Sequence, residues 1–181
     1  IGGDGAGDDV YDGGSGNDTV KYTSATLDII VDLASGFASG TGAEIGNDTL
    51  SNIENVIGGQ RNDILVGTAG SNVIDGYTGD DTIHGGGGNN TLIGGDGNDT
   101  AVFSNASTNY AFGWDGNTIL ISDATGTSRL TTIENLKFSD RNGALNTYQE
   151  LNRGPADTTP PAISSISTQG ATVILKFSEA I

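Results

Sequence analysis

From residue 58 to residue 102, every ninth residue belongs to one column. Written in nines from Gly58, the chain reads GGQRNDILV, GTAGSNVID, GYTGDDTIH, GGGGNNTLI and GGDGNDTAV, five units without a slip. Upstream, DGAGDDVYD (4–12) and GGSGNDTVK (13–21) keep the column order, and an isolated AEIGNDTLS (43–51) keeps its second half. A unit this short has room for one tight turn and one very short strand. It cannot bury its own aliphatic residue, so units must stack on one another.

Each column has a physical reason. Gly76, Gly85 and Gly94 form one glycine column and Gly79, Gly88 and Gly97 a second. Glycine in a tight turn permits positive φ and lets backbone carbonyls converge on one point. Leu65, Ile74, Ile83 and Leu92 form an apolar column that stacks into a narrow inward stripe. The sixth column carries Asp63, Asn72, Asp81, Asn90 and Asp99, with Asp9, Asp18 and Asp48 in the outlying units.

Composition agrees with a thin stacked core. The chain has 30 glycines in 181 residues, far above the usual roughly 7%, without collagen's period of three. Only 34% of residues are apolar. Acidic residues outnumber basic ones 23 to 7, a formal net charge of −16. Such a chain repels nucleic acid and anionic membranes, and cations are its natural partners. With no cysteine there are no disulfides to brace a small core. No apolar run is long enough to insert into a membrane as a helix.

These units resemble the nonapeptide G-G-x-G-x-D-x-U-x (U, a large aliphatic residue) of the repeats-in-toxin (RTX) family of secreted bacterial proteins. The resemblance implies an all-β fold, a right-handed parallel β-roll in which two nonapeptides complete one turn. Loops 18 residues apart then lie above one another with Ca2+ between them, held by backbone carbonyls and by the Asp of both loops, the oxygen-rich cage that calcium favours. The implied metal residues are Asp9, Asp18, Asp48, Asp63, Asp81, Asp99, Asn72 and Asn90, with Gly76, Gly79, Gly85, Gly88, Gly94 and Gly97 shaping the loops. Sorting by 18 puts Asp63, Asp81 and Asp99 on a strong edge, and Asn72 and Asn90 on an edge without charge from this column. If NIENVI (52–57) lengthens its turn, Asp48 is expected on the Asn72–Asn90 edge.

The roll is expected over 1–102, with repeats at 4–21, 43–51 and 58–102 and an excursion at 22–42 resembling those of serralysin-type proteases. Alternating runs such as TILISD (118–123) and LTTIENLKFSD (130–140) predict a β-rich cap over 103–150, covering the open end of the stack. Trp114 is expected in the core of that cap. LNRGPADTTPP (151–161) reads as a linker. Residues 162–181 resemble the first strands of a bacterial Ig-like surface domain, cut short.

Catalysis has little to work with. His84 is the only histidine and sits in the variable last column; there is no HExxH and no GxSxG. GGDGAG (2–7) has the letters of a nucleotide loop but no strand–helix context. The expected function is a non-enzymatic calcium-binding module of a large secreted or cell-surface bacterial protein, of adhesin or surface-layer type, folding on meeting extracellular calcium after type I secretion. Its partners are calcium and other modules or surface ligands of the parent protein. The alternative is the accessory roll of an extracellular protease, lipase or polysaccharide epimerase whose catalytic domain lies outside this chain.

Overall fold

The structure is a computed structural model. It describes residues 2, 6–116 and 118–140, together with the strands Leu145–Thr147, Ile163–Gln169 and Thr172–Phe177. The expected linker (151–161) lies outside the described residues. Of the expected Ig-like start, only the backbone of the last two strands is described, as an antiparallel hairpin.

The strands are short because each nonapeptide leaves about three residues after its turn. In chain order they are β1 (Val10–Asp12), β2 (Thr19–Lys21), β3 (Ile29–Asp32), β4 (Phe37–Gly40), β5 (Asn47–Ser51), β6 (Asn55–Ile57), β7 (Ile64–Val66), β8 (Val73–Asp75) and β9 (Thr82–His84). They continue with β10 (Asn90–Ile93), β11 (Thr100–Phe103), β12 (Ala111–Asp115), β13 (Thr118–Ser122), β14 (Thr127–Thr131), β15 (Asn135–Phe138), β16 (Leu145–Thr147), β17 (Ile163–Gln169) and β18 (Thr172–Phe177). The helical geometry among the described residues is two single 3-10 turns, Thr41–Ala43 and Ser107–Asn109. The fold is all-β.

Successive repeats alternate between two sheets. One has nine strands in the order β1-β5-β4-β3-β7-β9-β11-β15-β16; the other has seven, β12-β13-β14-β10-β8-β6-β2. Neighbouring repeat strands pair in parallel at an offset of 18 residues, as Leu65 with Ile83 and Ile74 with Leu92. The aliphatic column is thereby divided between the sheets. Val31, Leu65, Ile83, Ala101 and Leu136 stand in file on one, and Val20, Val56, Ile74, Leu92 and Leu130 on the other, all buried. Together the files make the β-roll core, and each strand buries its single inward side chain only because strands lie on both sides of it.

The excursion at 22–42 becomes strands of the roll. Antiparallel β3, β4 and β5 are inserted into the nine-stranded sheet, and β3 pairs in parallel with β7. At the other end the nonapeptides stop near residue 103, yet the stack continues for one more turn. β14 pairs in parallel with β10 and β15 with β11, before β12 and β13 extend the seven-stranded sheet antiparallel. Ladder bonds require neither Gly nor Asp, so strands presenting Leu130 and Leu136 in register suffice. Phe103, Tyr110, Phe112 and Phe138 close the core, with ring centroids 5.2–5.9 Å apart. Trp114 is half-buried against the same core.

Candidate calcium centre

Two edges join the sheets, and the sixth-column residues end the turns on both. On the first edge, where the chain enters the nine-stranded sheet, Asp63, Asp81 and Asp99 form a file of carboxylates no more than 1% exposed. Each uses one oxygen to accept the backbone N–H one turn below: Ile29 N–H to Asp63 Oδ1 at 3.0 Å, Asp63 N–H to Asp81 Oδ1 at 2.8 Å and Asp81 N–H to Asp99 Oδ1 at 2.8 Å. Asp63 Oδ2 accepts from Gly59 N–H at 2.6 Å. Oδ2 of Asp81 and Oδ2 of Asp99 are buried and accept no hydrogen bond.

Such oxygens are costly unless a cation meets them. The titration shifts describe the same strain. Burial, with Asp63, Asp99 and Asp80 adding repulsion, pushes Asp81 up to about 8 against the pull of the Asp63 N–H. Burial raises Asp63 to about 6, and burial with the charges of Glu134 and Asp80 raises Asp99 to about 6. Among the described residues no three acidic or imidazole side chains converge on one point. The carboxylates instead follow one another along the file, with the Gly76, Gly94 and Thr132 carbonyls beside their Oδ2 atoms. That donor set suits a hard divalent cation.

The first glycine column is explained by crowding rather than by φ. A Cβ on Gly58 would lie 2.6 Å from the Gly76 carbonyl oxygen and 2.7 Å from Asp63 Oδ2. Gly76 repeats this against the Gly94 carbonyl oxygen and Asp81 Oδ2, and Gly94 against the Thr132 carbonyl oxygen and Asp99 Oδ2. The space beside each carboxylate admits no methyl group. In the second column, Gly79 and Gly97 do need positive φ, +120° and +146°. On the second edge, Gly85 approaches the Asn90 amide and Gly88 sits at φ +75° against Gly70.

That second edge, where the chain enters the seven-stranded sheet, is built with amides. Asn72 and Asn90 are 2% exposed. Backbone donors fix which way each amide faces: Thr68 N–H donates to Asn72 Oδ1 at 2.8 Å and Asn72 N–H to Asn90 Oδ1 at 3.0 Å. Their NH2 groups then donate inward, Asn90 Nδ2 to the Gly87 carbonyl at 3.1 Å and Asn72 Nδ2 to the Glu54 carbonyl. The Glu54 and Gly87 carbonyls on this edge thus each have an amide donor.

Asp48 departs from its expected place. It is the second residue of β5 in the nine-stranded sheet and so stands on the first edge, not with Asn72 and Asn90. The count fails because NIENVI shortens its crossing instead of lengthening a turn: the chain passes from Leu50 to Val56 in six residues, so three crossings, not one long turn, separate Asp48 from Asn72. Asp48 Oδ1 accepts Asp9 N–H at 3.0 Å and Oδ2 accepts the Tyr22 hydroxyl at 2.9 Å, so Asp9 and Asp48 meet at the start of the stack. Asp18 lies on the second edge, with Oδ2 buried and unpartnered. His84 is half-buried on the nine-stranded sheet, paired laterally with Val66 and Val102, and burial lowers its pKa.

Sequence reasoning missed two sets of residues. The fifth column, taken as variable, forms an outer ladder in which Asp80 N–H donates to Asn62 Oδ1 and Asn98 N–H to Asp80 Oδ1, both at 2.9 Å. Glu54 and Glu134 lie outside the nonapeptides, yet accept the N–H of Asp18 at 2.8 Å and of Asp99 at 2.7 Å. The signal that could have found them is the shared LxxIEN of LSNIEN (50–55) and LTTIEN (130–135).

A family model of the RTX calcium-binding nonapeptide repeat matches the chain in four copies, over residues 4–20, 57–92, 75–104 and 85–120. The chain carries RTX calcium-binding nonapeptide repeats. Such repeats bind Ca2+ ions at several sites, as structural modules. Among solved structures, the extracellular lipase LipA from Serratia marcescens is similar at 32% identity and a TM-score of 0.44, over 46% of this chain. The chain spans only 14% of that lipase. No curated protein matches.

Proposed function

We propose that the first edge holds calcium between Asp63 and Asp81 and between Asp81 and Asp99, and that this makes the chain a calcium-dependent structural module of a large secreted or cell-surface bacterial protein. The observation that carries the reading is the pair of buried, unpartnered oxygens, Asp81 Oδ2 and Asp99 Oδ2, in a file of carboxylates stacked 18 residues apart. Asn72 and Asn90 hold the second edge together with amide donors, so that edge takes little or no calcium between them.

Without the cation, buried like charges and a glycine-rich backbone both oppose folding. A site with Kd of about 10⁻⁴ M is stabilised by roughly 1.4 kcal/mol at ~1 mM calcium, and by almost nothing at ~10⁻⁷ M. Because each turn is held only by its neighbours, several such increments decide whether the stack forms. A chain loose inside the cell and ordered outside suits export through a type I channel. The β17–β18 hairpin beyond the cap favours a module in a longer surface protein, of adhesin or surface-layer type, over the accessory roll of an extracellular enzyme.

Asp81 is shared by both proposed gaps, so counting calcium bound to the full chain and to Asp81→Ala tests the reading. The variant is expected to lose two ions. Equal counts would refute the assignment.

A further inference from the structure

The LxxIEN segments differ from the nonapeptide corners in length. From Leu65 to Ile74 the chain crosses from one sheet to the other in nine residues; from Leu50 to Val56, and from Leu130 to Leu136, it crosses in six. The saving comes from a left-handed residue, Asn52 at φ +54° or Thr132 at φ +51°, followed by a buried isoleucine, Ile53 or Ile133. The two corners share a pattern of burial from the residue before the left-handed one to the residue after the asparagine.

What a corner presents to the loop beneath it matches what a nonapeptide presents. In the file Gly58, Gly76, Gly94, each glycine lies against the carbonyl of the first residue of the next turn, and over Gly94 that carbonyl belongs to Thr132. In the file Asp63, Asp81, Asp99, each N–H donates to the carboxylate of the next turn, and for Asp99 that carboxylate is Glu134 at 2.7 Å. Thr132 thus replaces the first-column glycine and Glu134 the sixth-column aspartate. Beneath them lies Asp99, 0% exposed, its Oδ2 without a partner and beside the same carbonyl. On the second edge the arrangement recurs: Gly13 lies against the Asn52 carbonyl, Asp18 N–H donates to Glu54 at 2.8 Å and Asp18 Oδ2 is buried without a partner.

We propose that the LxxIEN corner is a second kind of calcium half-site: Glu134 and the Thr132 carbonyl close a site with Asp99, and Glu54 and the Asn52 carbonyl close one with Asp18. The proposal rests on the reading of the Asp63–Asp99 file as calcium ligands and extends it past the nonapeptides. A corner supplies fewer carbonyls than a six-residue loop, so its ion retains more water and binds more weakly than the ion between two loops. Its consequence is coupling: a cation between Asp99 and Glu134 adds to the ladder bonds and to buried Leu130 and Leu136 in holding β14 and β15 of the cap on the repeats.

The test counts calcium bound per folded full-length chain, by equilibrium dialysis with circular dichroism on the same samples, for wild type, Glu134→Gln and Glu134→Asp. Glutamine keeps an acceptor for Asp99 N–H and removes the charge. The expected result is one calcium fewer in Glu134→Gln and the wild-type count in Glu134→Asp. Should Glu134→Gln fail to fold while Glu134→Asp folds with its full count, the carboxylate is again what the corner needs. A wild-type count in Glu134→Gln, or failure of both variants to fold, overturns the proposal. A wild-type chain that binds no calcium fails the earlier reading instead, so the two failures are distinguishable.

Discussion

The backbone N–H of Asp63 donates to Oδ1 of Asp81, 18 residues further on, at 2.8 Å, while Oδ2 of the same carboxylate stays buried with no partner. One oxygen sets the register of the stack and the other awaits a cation. Asp81→Asn preserves the register bond and removes the charge. We expect the calcium midpoint of folding to rise on the order of tenfold, because ligand charge tunes affinity. In chelator the variant should be no less ordered than wild type. A calcium titration of both proteins checks this, and an unchanged midpoint would separate Asp81 from the metal.

The glycines of the repeat are not equivalent. Gly76→Ala drives a methyl group into Asp81 Oδ2 and the Gly94 carbonyl oxygen, and should cost on the order of 1–3 kcal/mol. Gly70, also in a repeat column, has negative φ, and a Cβ there meets only Thr68 Oγ1 at 3.5 Å. Gly70→Ala should stay within about 0.5 kcal/mol of wild type. Denaturant unfolding in saturating calcium gives both values, and equal losses would contradict the crowding account.

The amide edge can be converted. Asn72→Asp with Asn90→Asp removes the NH2 donors to the Glu54 and Gly87 carbonyls and adds two buried charges. The double variant should be less ordered than wild type in chelator and bind one more calcium when calcium is supplied. A double variant with the wild-type count would show that charge alone does not separate the edges.

Acidity should substitute partly for calcium. Asp81 is pushed up to about 8 in the calcium-free fold, whereas its ordinary value is 3.8. The folded chain therefore takes up a proton that the unfolded chain lacks until far lower pH, and stability rises as pH falls. The gain begins near pH 8 for Asp81, continues near 6 for Asp63 and Asp99, and is complete below about 4. Circular dichroism of the calcium-free chain between pH 8 and 4 should show structure increasing, and a flat profile would contradict it. In calcium the dependence reverses in sense, since protons compete for the same carboxylates and more calcium is needed at lower pH.

The parts of the fold visible in the sequence were those written in periodic columns. Leu65, Ile74, Ile83 and Leu92 announced a stacked core, and Asp81 against Asn90 announced two unlike edges, because both depend on a spacing that counting reveals. Asp48 was misplaced because the chain crosses from Leu50 to Val56 in six residues, which adds a crossing where a lengthened turn was expected. The extra turn through Leu130 and Leu136 was hidden because backbone ladder bonds leave no mark on side-chain identity. Glu134 escaped because its corner reaches the file in six residues, out of phase with every count of nine.

On the proposed function, calcium decides whether this chain is folded. Far-UV circular dichroism of the full chain, in millimolar calcium and then in excess chelator, tests it most directly. A β-sheet spectrum is expected in calcium, largely lost in chelator at neutral pH and restored when calcium returns. The same β-sheet spectrum in both conditions would contradict it.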